Sequence, residues 1–553
     1  MDSQRLVLFF VFSFSVFLLF DAWQRDKQPA PPAAAVSDKA GKSTPSAAQV
    51  PVPGDKLAVP QPTVPQQEGR AQEAGTTLKV ETDLIVARIG TRGGDLRHLQ
   101  FKKHRDTLDK NKDFVLFDSS PERTYIAQSG LIGAGLPNHH TIFKASGASF
   151  QLADGQDRLE VRLTAPAADG VEVTKIYRFQ RGSYLIDVAY EIANKTAAAI
   201  QPYAYFQMVR DGKPPEGGSA MLPTFTGVAI YTEKEKFHKF TFEDVAKGKA
   251  SFPKNSSDGW IAVIQHYFFS AWLPKNGTPR EFYMRQLDAQ LYSTGVIVPV
   301  GAVAPGATTT LEVPVYAGPQ EQAKLEKIAP GLELTIDYGW LTVIAVPLFW
   351  VLSWLHQWVG NWGIAIILLT VILKGLFFPL SAASYRSMAK MRVVAPKLQR
   401  LKDQYGDDRQ RLQQAMMELY KTEKINPLGG CMPILVQIPV FIALYWVLLA
   451  SVELRHTPFM LWIDDLAAPD PWFILPILMA ATMWIQTSLN PEPPDPVQAK
   501  VMKIMPIMFS IMFFFFPAGL VLYWLVNNVL SIAQQWQITR MMEREGHGAR
   551  KKN

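Results

Sequence analysis

From Leu341 onward the chain carries apolar runs too long and too closely spaced for a water-soluble fold. They fall at about 362–380, 433–451, 472–489, 501–516 and 520–536, and none contains an aspartate or glutamate. A run near twenty apolar residues is the length that crosses hydrocarbon as a helix. The stretch Leu341–Leu380 is too long for one crossing, and "WVGNWG" at 358–363 divides it. Its first half, rich in aromatics and holding Pro347 and His356, fits a span or an interfacial helix. With the anchor running outward, the β domain outside and 381–430 cytoplasmic, one crossing lies between, which puts this half on the outer membrane surface.

Loop charge orients these spans. Segment 381–430 holds ten Lys/Arg against five Asp/Glu, which makes it cytoplasmic. Loop 452–471 has Glu453, Asp464, Asp465 and Asp470 against Arg455 alone, as expected outside. The N-terminal run Leu6–Phe20 follows Arg5 and is followed directly by Asp21, Arg25, Asp26 and Lys27, which suits an uncleaved signal anchor. The result is a polytopic α-helical membrane protein with six spans and both termini cytoplasmic. Net charge is +7, but the basic clusters flank spans. That placement signals topology and speaks against nucleic-acid sequence recognition.

Between anchor and core the character changes. Residues 25–75 are rich in Pro, Ala, Gln and Gly and read as a disordered linker. Residues 76–335 alternate with period two, as in "YLIDVAYEI" (184–192), "LEVRLT" (159–164) and "LEVPVYA" (311–317). "QRGS" at 180–183 marks a hairpin between two such runs. Many short strands without regular helices imply a large all-β sandwich. One cysteine, Cys431, excludes an intrachain disulfide. Histidine spacing gives no metal site, and nothing calls for a cofactor or a catalytic signature. The expected organisation is therefore 1–24 anchor, 25–75 linker, 76–335 extracytoplasmic β domain, 336–360 interfacial helix, 361–540 five-span core and 541–553 basic cytoplasmic tail. The core includes a cytoplasmic helical hairpin over 384–424, where Met388, Met391, Leu398, Leu401, Leu412, Met416 and Leu419 recur at steps of three and four and "YGDD" forms the turn.

One residue breaks the apolar pattern. Lys374 lies well inside the run 362–380, where a charge costs from about 3 kcal/mol on insertion scales to more than 10 in simulations. Thr370 sits one turn away, and Asn527, Asn528, Ser531, Gln534 and Gln535 form a polar strip on the last span. Gln437 and Gln486 can join from the third and fourth spans. Such a strip belongs against protein or water rather than lipid, and a charged lysine needs water.

The segments "VGNWGIAIILLT", "PLSAASYRSMAKMRVVAPKLQ", "MMELYKTEKINPLGGCMPILVQIPVF", "SVELRHTPFMLWIDDL" and "FPAGLVLYWLVNN" resemble the YidC/Oxa/Alb family of membrane protein insertases, of the Gram-negative bacterial type. The resemblance implies an inner-membrane protein with a periplasmic β-sandwich and no enzymatic activity. It implies a hydrophilic, positively charged groove, open to the cytoplasm, that receives nascent membrane proteins and releases their helices into lipid, alone or with the Sec translocon. The groove would be lined by Lys374, Thr370, Gln437, Tyr523, Trp524, Asn527, Asn528 and Ser531. The family usually has an arginine where this chain has Lys374, and a second tyrosine where it has Trp524. Expected partners are nascent membrane proteins, Sec translocon components, membrane lipids and the ribosome, through the basic cytoplasmic loop and tail. A lipid or small-solute transporter using the same polar cavity is the alternative, although such proteins usually carry repeated halves that are absent here.

Overall fold

The computed structural model describes residues 75–216, 224–406, 408–423, 432–489 and 496–550. The anchor expected over 1–24, all but the last residue of the linker and the end of the basic tail lie outside this set. Two compact units emerge, one β and one helical, divided at Asp337/Tyr338.

The β unit is a sandwich of a ten-stranded and a nine-stranded sheet, antiparallel except where Thr77–Glu81 pairs with Ser149–Gln151. In the nine-stranded sheet, Leu185–Asn194 lies between Val171–Gln180 and Thr308–Pro319. The first of those pairings closes at "QRGS", where Gly182 takes the left-handed conformation (φ 70°) and Ser183 N–H donates to Gln180 O. The alternation read from the sequence holds at Ile186, Val188, Tyr190 and Ile192, which are buried, and at Asp187 and Glu191, which are not; Ala189, expected with the latter, is buried too. In the ten-stranded sheet, Tyr203–Asp211 pairs with Thr124–Ile132 and Leu291–Pro299.

A polar layer lies between the sheets. Lys175, fully buried, donates to Gly93 O at 2.9 Å, and Tyr177 OH donates to Gly94 O at 2.5 Å. Gln128 Nε2 donates to Asp95 Oδ2 at 2.8 Å and accepts at Oε1 from Gln207 Nε2 at 3.0 Å. His139 N–H donates to Tyr205 OH at 3.0 Å, and that hydroxyl lies 2.5 Å from His139 Nδ1. Buried polar groups cost free energy unless paired. Here they pair mostly with main-chain carbonyls and one another, which ties strands distant in sequence. At the sheet edge Arg280, almost wholly buried, donates five hydrogen bonds to main-chain oxygens of Ser257, Gly259, Pro274, Lys275 and Thr278.

The helical unit contains α1 (Thr342–Val359), α2 (Trp362–Leu376), α3 (Phe378–Tyr405), α4 (Arg409–Thr422), α5 (Met432–Ala450), α6 (Ile474–Ser488), α7 (Pro496–Met512) and α8 (Ala518–Arg550). Among the described helices, α1 is the one long and apolar enough to cross a membrane by itself, whereas the sequence reading laid it on the surface. Asn361 caps α2 by accepting from Ile364 N–H at 3.1 Å. The crossing expected to run to Leu380 breaks at Phe377, and α3 leaves at 65°. Pro379 favours the break: it lacks an N–H and its ring crowds the preceding turn, and it sits in the first turn of α3, where neither matters. α3 and α4 form the hairpin foreseen around "YGDD". Met391, Val394 and Leu398 pack against Met416, Leu419 and Tyr420, and Lys397 pairs with Glu423 at 2.5 Å. α8 packs on α2, α3 and α6.

The loop between α5 and α6 is ordered by its acids. Asp470, buried, accepts from Trp462 Nε1, Trp472 N–H and Leu475 N–H at 2.7–3.0 Å. Asp465 accepts from His456 N–H and Ala467 N–H. The loop is stitched to the start of α8 by Ala518 N–H to Ala468 O and Gly519 N–H to Leu466 O. It is tied to the start of α2 by Asn361 Nδ2 to Phe459 O at 2.9 Å. Gly363 makes this approach possible, since a Cβ there would overlap the Phe459 ring. Gly363→Val is therefore expected to lower stability by about 1–3 kcal/mol, read as a lower melting temperature in detergent. Adding Phe459→Ala should restore part of the loss; no recovery would place the strain elsewhere.

Candidate functional site

Lys374 sits one turn beyond Thr370 on α2, and both side chains are buried against α8. Lys374 Nζ donates to Ser531 Oγ at 2.7 Å. Ser531 Oγ in turn donates to Asn527 O at 2.7 Å, so its single proton is committed to its own helix. The Tyr385 hydroxyl of α3 also hydrogen-bonds to Ser531. A serine hydroxyl has one proton and two lone pairs. With the proton on Asn527 O, a lone pair receives Lys374. One oxygen thus joins α2 and α8, with the Tyr385 hydroxyl of α3 beside it.

The ammonium has three protons, and no ion pair with a carboxylate engages it among the described residues. It is about 5% exposed. Thr370, its neighbour, spends its hydroxyl proton on Ile366 O at 2.7 Å and keeps two lone pairs. Asn528, buried, reaches Thr482 Oγ1 of α6 at 3.5 Å, and Gln535 Nε2 donates to Leu489 O at 3.2 Å. The strip of amides on α8 therefore faces α6 as well as α2, as the sequence spacing required of side chains kept from lipid. Asn527 is half-buried.

Tyr523 and Trp524 make an aromatic wall beside this cluster, toward the start of α8. Phe441 of α5 meets Trp524 edge-on at 4.4 Å between ring centres and stacks on Tyr523 at 6.3 Å. Phe513 adds a second ring against Trp524 at 5.2 Å. The Trp524 indole N–H is buried without an acceptor among the described residues. Gln437, on α5, and Gln486, on α6, are half-buried.

Three contributors escaped the sequence reading. Tyr385 lies eleven residues past Lys374, three turns along a continuous helix; that spacing was a usable signal. Thr482 and Phe441 carried none, because their roles depend on how α6 and α5 are rotated. Chemically the cluster can hold an ammonium with hydroxyl partners while leaving it able to attract an anion. Ser531 gives its proton to Asn527 O rather than to Lys374, so the pair is set for binding rather than bond-breaking.

Comparison with known proteins then bears on this arrangement. Residues 77–351 match the YidC periplasmic domain model, and residues 354–545 match that of the 60Kd inner membrane protein. The membrane protein insertase YidC of Nitrosospira multiformis is 58% identical over 559 residues, covering 98% of each chain. That of Aromatoleum aromaticum is 57% identical over the whole of both. A crystal structure of an active YidC insertase aligns at 18% identity with a TM-score of 0.40, covering 83% of this chain and 92% of that one. With both halves matched and such identity sustained end to end, the chain belongs to the YidC family of membrane protein insertases, non-enzymatic inner membrane proteins with a periplasmic β domain.

Proposed function

We propose that this chain inserts nascent membrane proteins through a hydrated groove around Lys374, open to the cytoplasm, and releases their helices into lipid, alone or beside the Sec translocon. The observation that carries this reading is the Lys374 ammonium, held by the Ser531 hydroxyl of α8 beside Tyr385 of α3 and left without a carboxylate among the described residues. An apolar segment enters lipid downhill. Its polar flank is the obstacle, at about 3 kcal/mol for one aspartate at the bilayer centre on insertion scales. A groove reaching partway shortens the hydrocarbon path, and a cation inside it offsets the charge of an acidic flank.

In this reading α2, α5, α6, α7 and α8 span the membrane with the N-terminal anchor, and both termini are cytoplasmic. α1 lies along the outer surface. Trp350, Trp354 and Trp358 are exposed at steps of four on one face of α1. Lying flat, the helix puts all three at the one depth where tryptophan is favoured; upright, it would spread them over about 12 Å. The basic hairpin α3–α4 faces the ribosome and anionic lipid heads on the inner side.

The test is insertion of single-span substrates into proteoliposomes. Lys374→Arg is expected to retain activity. Lys374→Ala is expected to slow substrates with acidic translocated tails by about tenfold, the equivalent of 1.4 kcal/mol, and neutral-tailed ones much less. Equal losses for both classes would remove the charge from the mechanism.

A further inference from the structure

The tip of the loop between α5 and α6 is built against the usual rules for a turn. Phe459 N–H donates to Ile463 O at 2.9 Å and Ile463 N–H to Met460 O at 3.2 Å, so residues 460–463 turn tightly. Leu461 occupies the left-handed region (φ 56°), which glycine or asparagine fills at far lower cost. It is also 82% exposed, and Met460 beside it is half exposed. A strained backbone that displays a large apolar side chain to water would be penalised twice. The exposure penalty disappears if the side chain ends in hydrocarbon, and the gain there offsets the backbone strain that remains.

The surroundings set the depth and the occupant. Phe459 packs on Gly363 in the first turn of α2, so the tip starts within about 7 Å, two residues of chain, of an apolar helix end. Trp462, next to the tip, stacks on Trp472 with the rings 8° from parallel and is pinned by its N–H to Asp470. Trp472 and Phe473 are exposed, and their apolar surface continues along Ile477 and Leu478 of α6. In a membrane protein that surface faces lipid, and paired tryptophans mark the headgroup level. Asp464, two residues past Trp462, is exposed.

We infer that the Met460–Leu461 turn is a rigid wedge that enters the headgroup–acyl boundary of the outer leaflet, with phospholipid acyl chains as its partner. The wedge is independent of the groove around Lys374 and stands or falls without it. Its carboxylate neighbour favours zwitterionic over anionic lipid at this spot.

The test uses the full chain with Cys431→Ser and L461C carrying an environment-sensitive fluorophore, reconstituted in phosphatidylcholine–phosphatidylethanolamine liposomes. M460C provides a second site should the first variant fold poorly. A label at Gln410, exposed on α4, is the control. Lipid bearing a doxyl group near the head of its acyl chain is expected to quench the label at 461 or 460 several-fold more than at 410. Iodide supplied on both faces is expected to do the reverse. Iodide quenching at the tip equal to the control would overturn the wedge. So would protection from both quenchers, which would mean that protein, such as a second copy of the chain, covers the turn.

Discussion

Replacing Arg280 by methionine is expected to destabilise the periplasmic domain by about 3 kcal/mol. The guanidinium donates to five main-chain oxygens contributed by two loops, 257–259 and 274–278, at 2.5–3.1 Å. Burial holds its pKa down, to about 10, while Asp258 pulls it back up, so the group stays charged at neutral pH. Hydrogen bonds from a charged donor are the stronger kind, and an unpaired buried carbonyl costs more than a paired one gains. Methionine fills similar volume and supplies no donor. Arg280→Lys should recover less than half, because an ammonium has three protons on one point and cannot span both loops. Pulse proteolysis of the full-length protein across a urea series reads both, with cleavage expected in the two loops first. A methionine variant with the wild-type midpoint would show that water satisfies these oxygens.

Acidification is expected to weaken the same domain through His139. Burial first, then the neighbouring His140 and Lys175, push its pKa from 6.5 down to about 3. The geometry agrees: Tyr205 OH receives the His139 N–H and lies 2.5 Å from Nδ1, which suits a neutral ring accepting the phenolic proton. The folded imidazole therefore stays neutral where the unfolded one is charged. Its contribution is complete above pH 6.5 and falls by about 1.4 kcal/mol for each pH unit below that, until about pH 3. Asp95 acts with the opposite sign. Burial raises its pKa to about 6, against the pull of Lys175 and Arg97, so the folded state takes up a proton first between about pH 6 and pH 4 and regains stability there. The wild-type profile should be nearly flat in that window. His139→Gln should gain on wild type by roughly 2 to 3 kcal/mol between about pH 7 and pH 4.5, measured as the difference in urea midpoints. A difference independent of pH would mean that His139 takes up its proton at the same pH in the folded and unfolded domain.

Much of the fold was legible because its periods are short. Residues 184–192 announced a strand facing one way, and the structure buries Ile186, Val188, Tyr190 and Ile192. Met391 and Leu398 announced the face that meets Met416 and Leu419 in the hairpin. Lys374 was legible as a departure from its surroundings, and Ser531 as part of a polar strip. His139 was not: its neighbours Tyr205 and Lys175 lie 66 and 36 residues away, and only sheet pairing brings them together. Tyr385 was readable by its eleven-residue spacing from Lys374, although the break at Phe377 redirects the helix that carries it. Pro379 carried that information, but a long apolar run hid the restart that proline favours.

The brevity of α2 and α6 has an elastic consequence. Each holds 15 residues, a rise of about 22 Å, where a typical bilayer core is about 30 Å thick. With both crossing the membrane as proposed, lipid beside them would pucker inward to meet them, and the deformation would grow with chain length and saturation. A client arriving there would meet a slimmer sheet of oil before any side chain touches it, and the composition of the host membrane would become a control on how fast it is taken in.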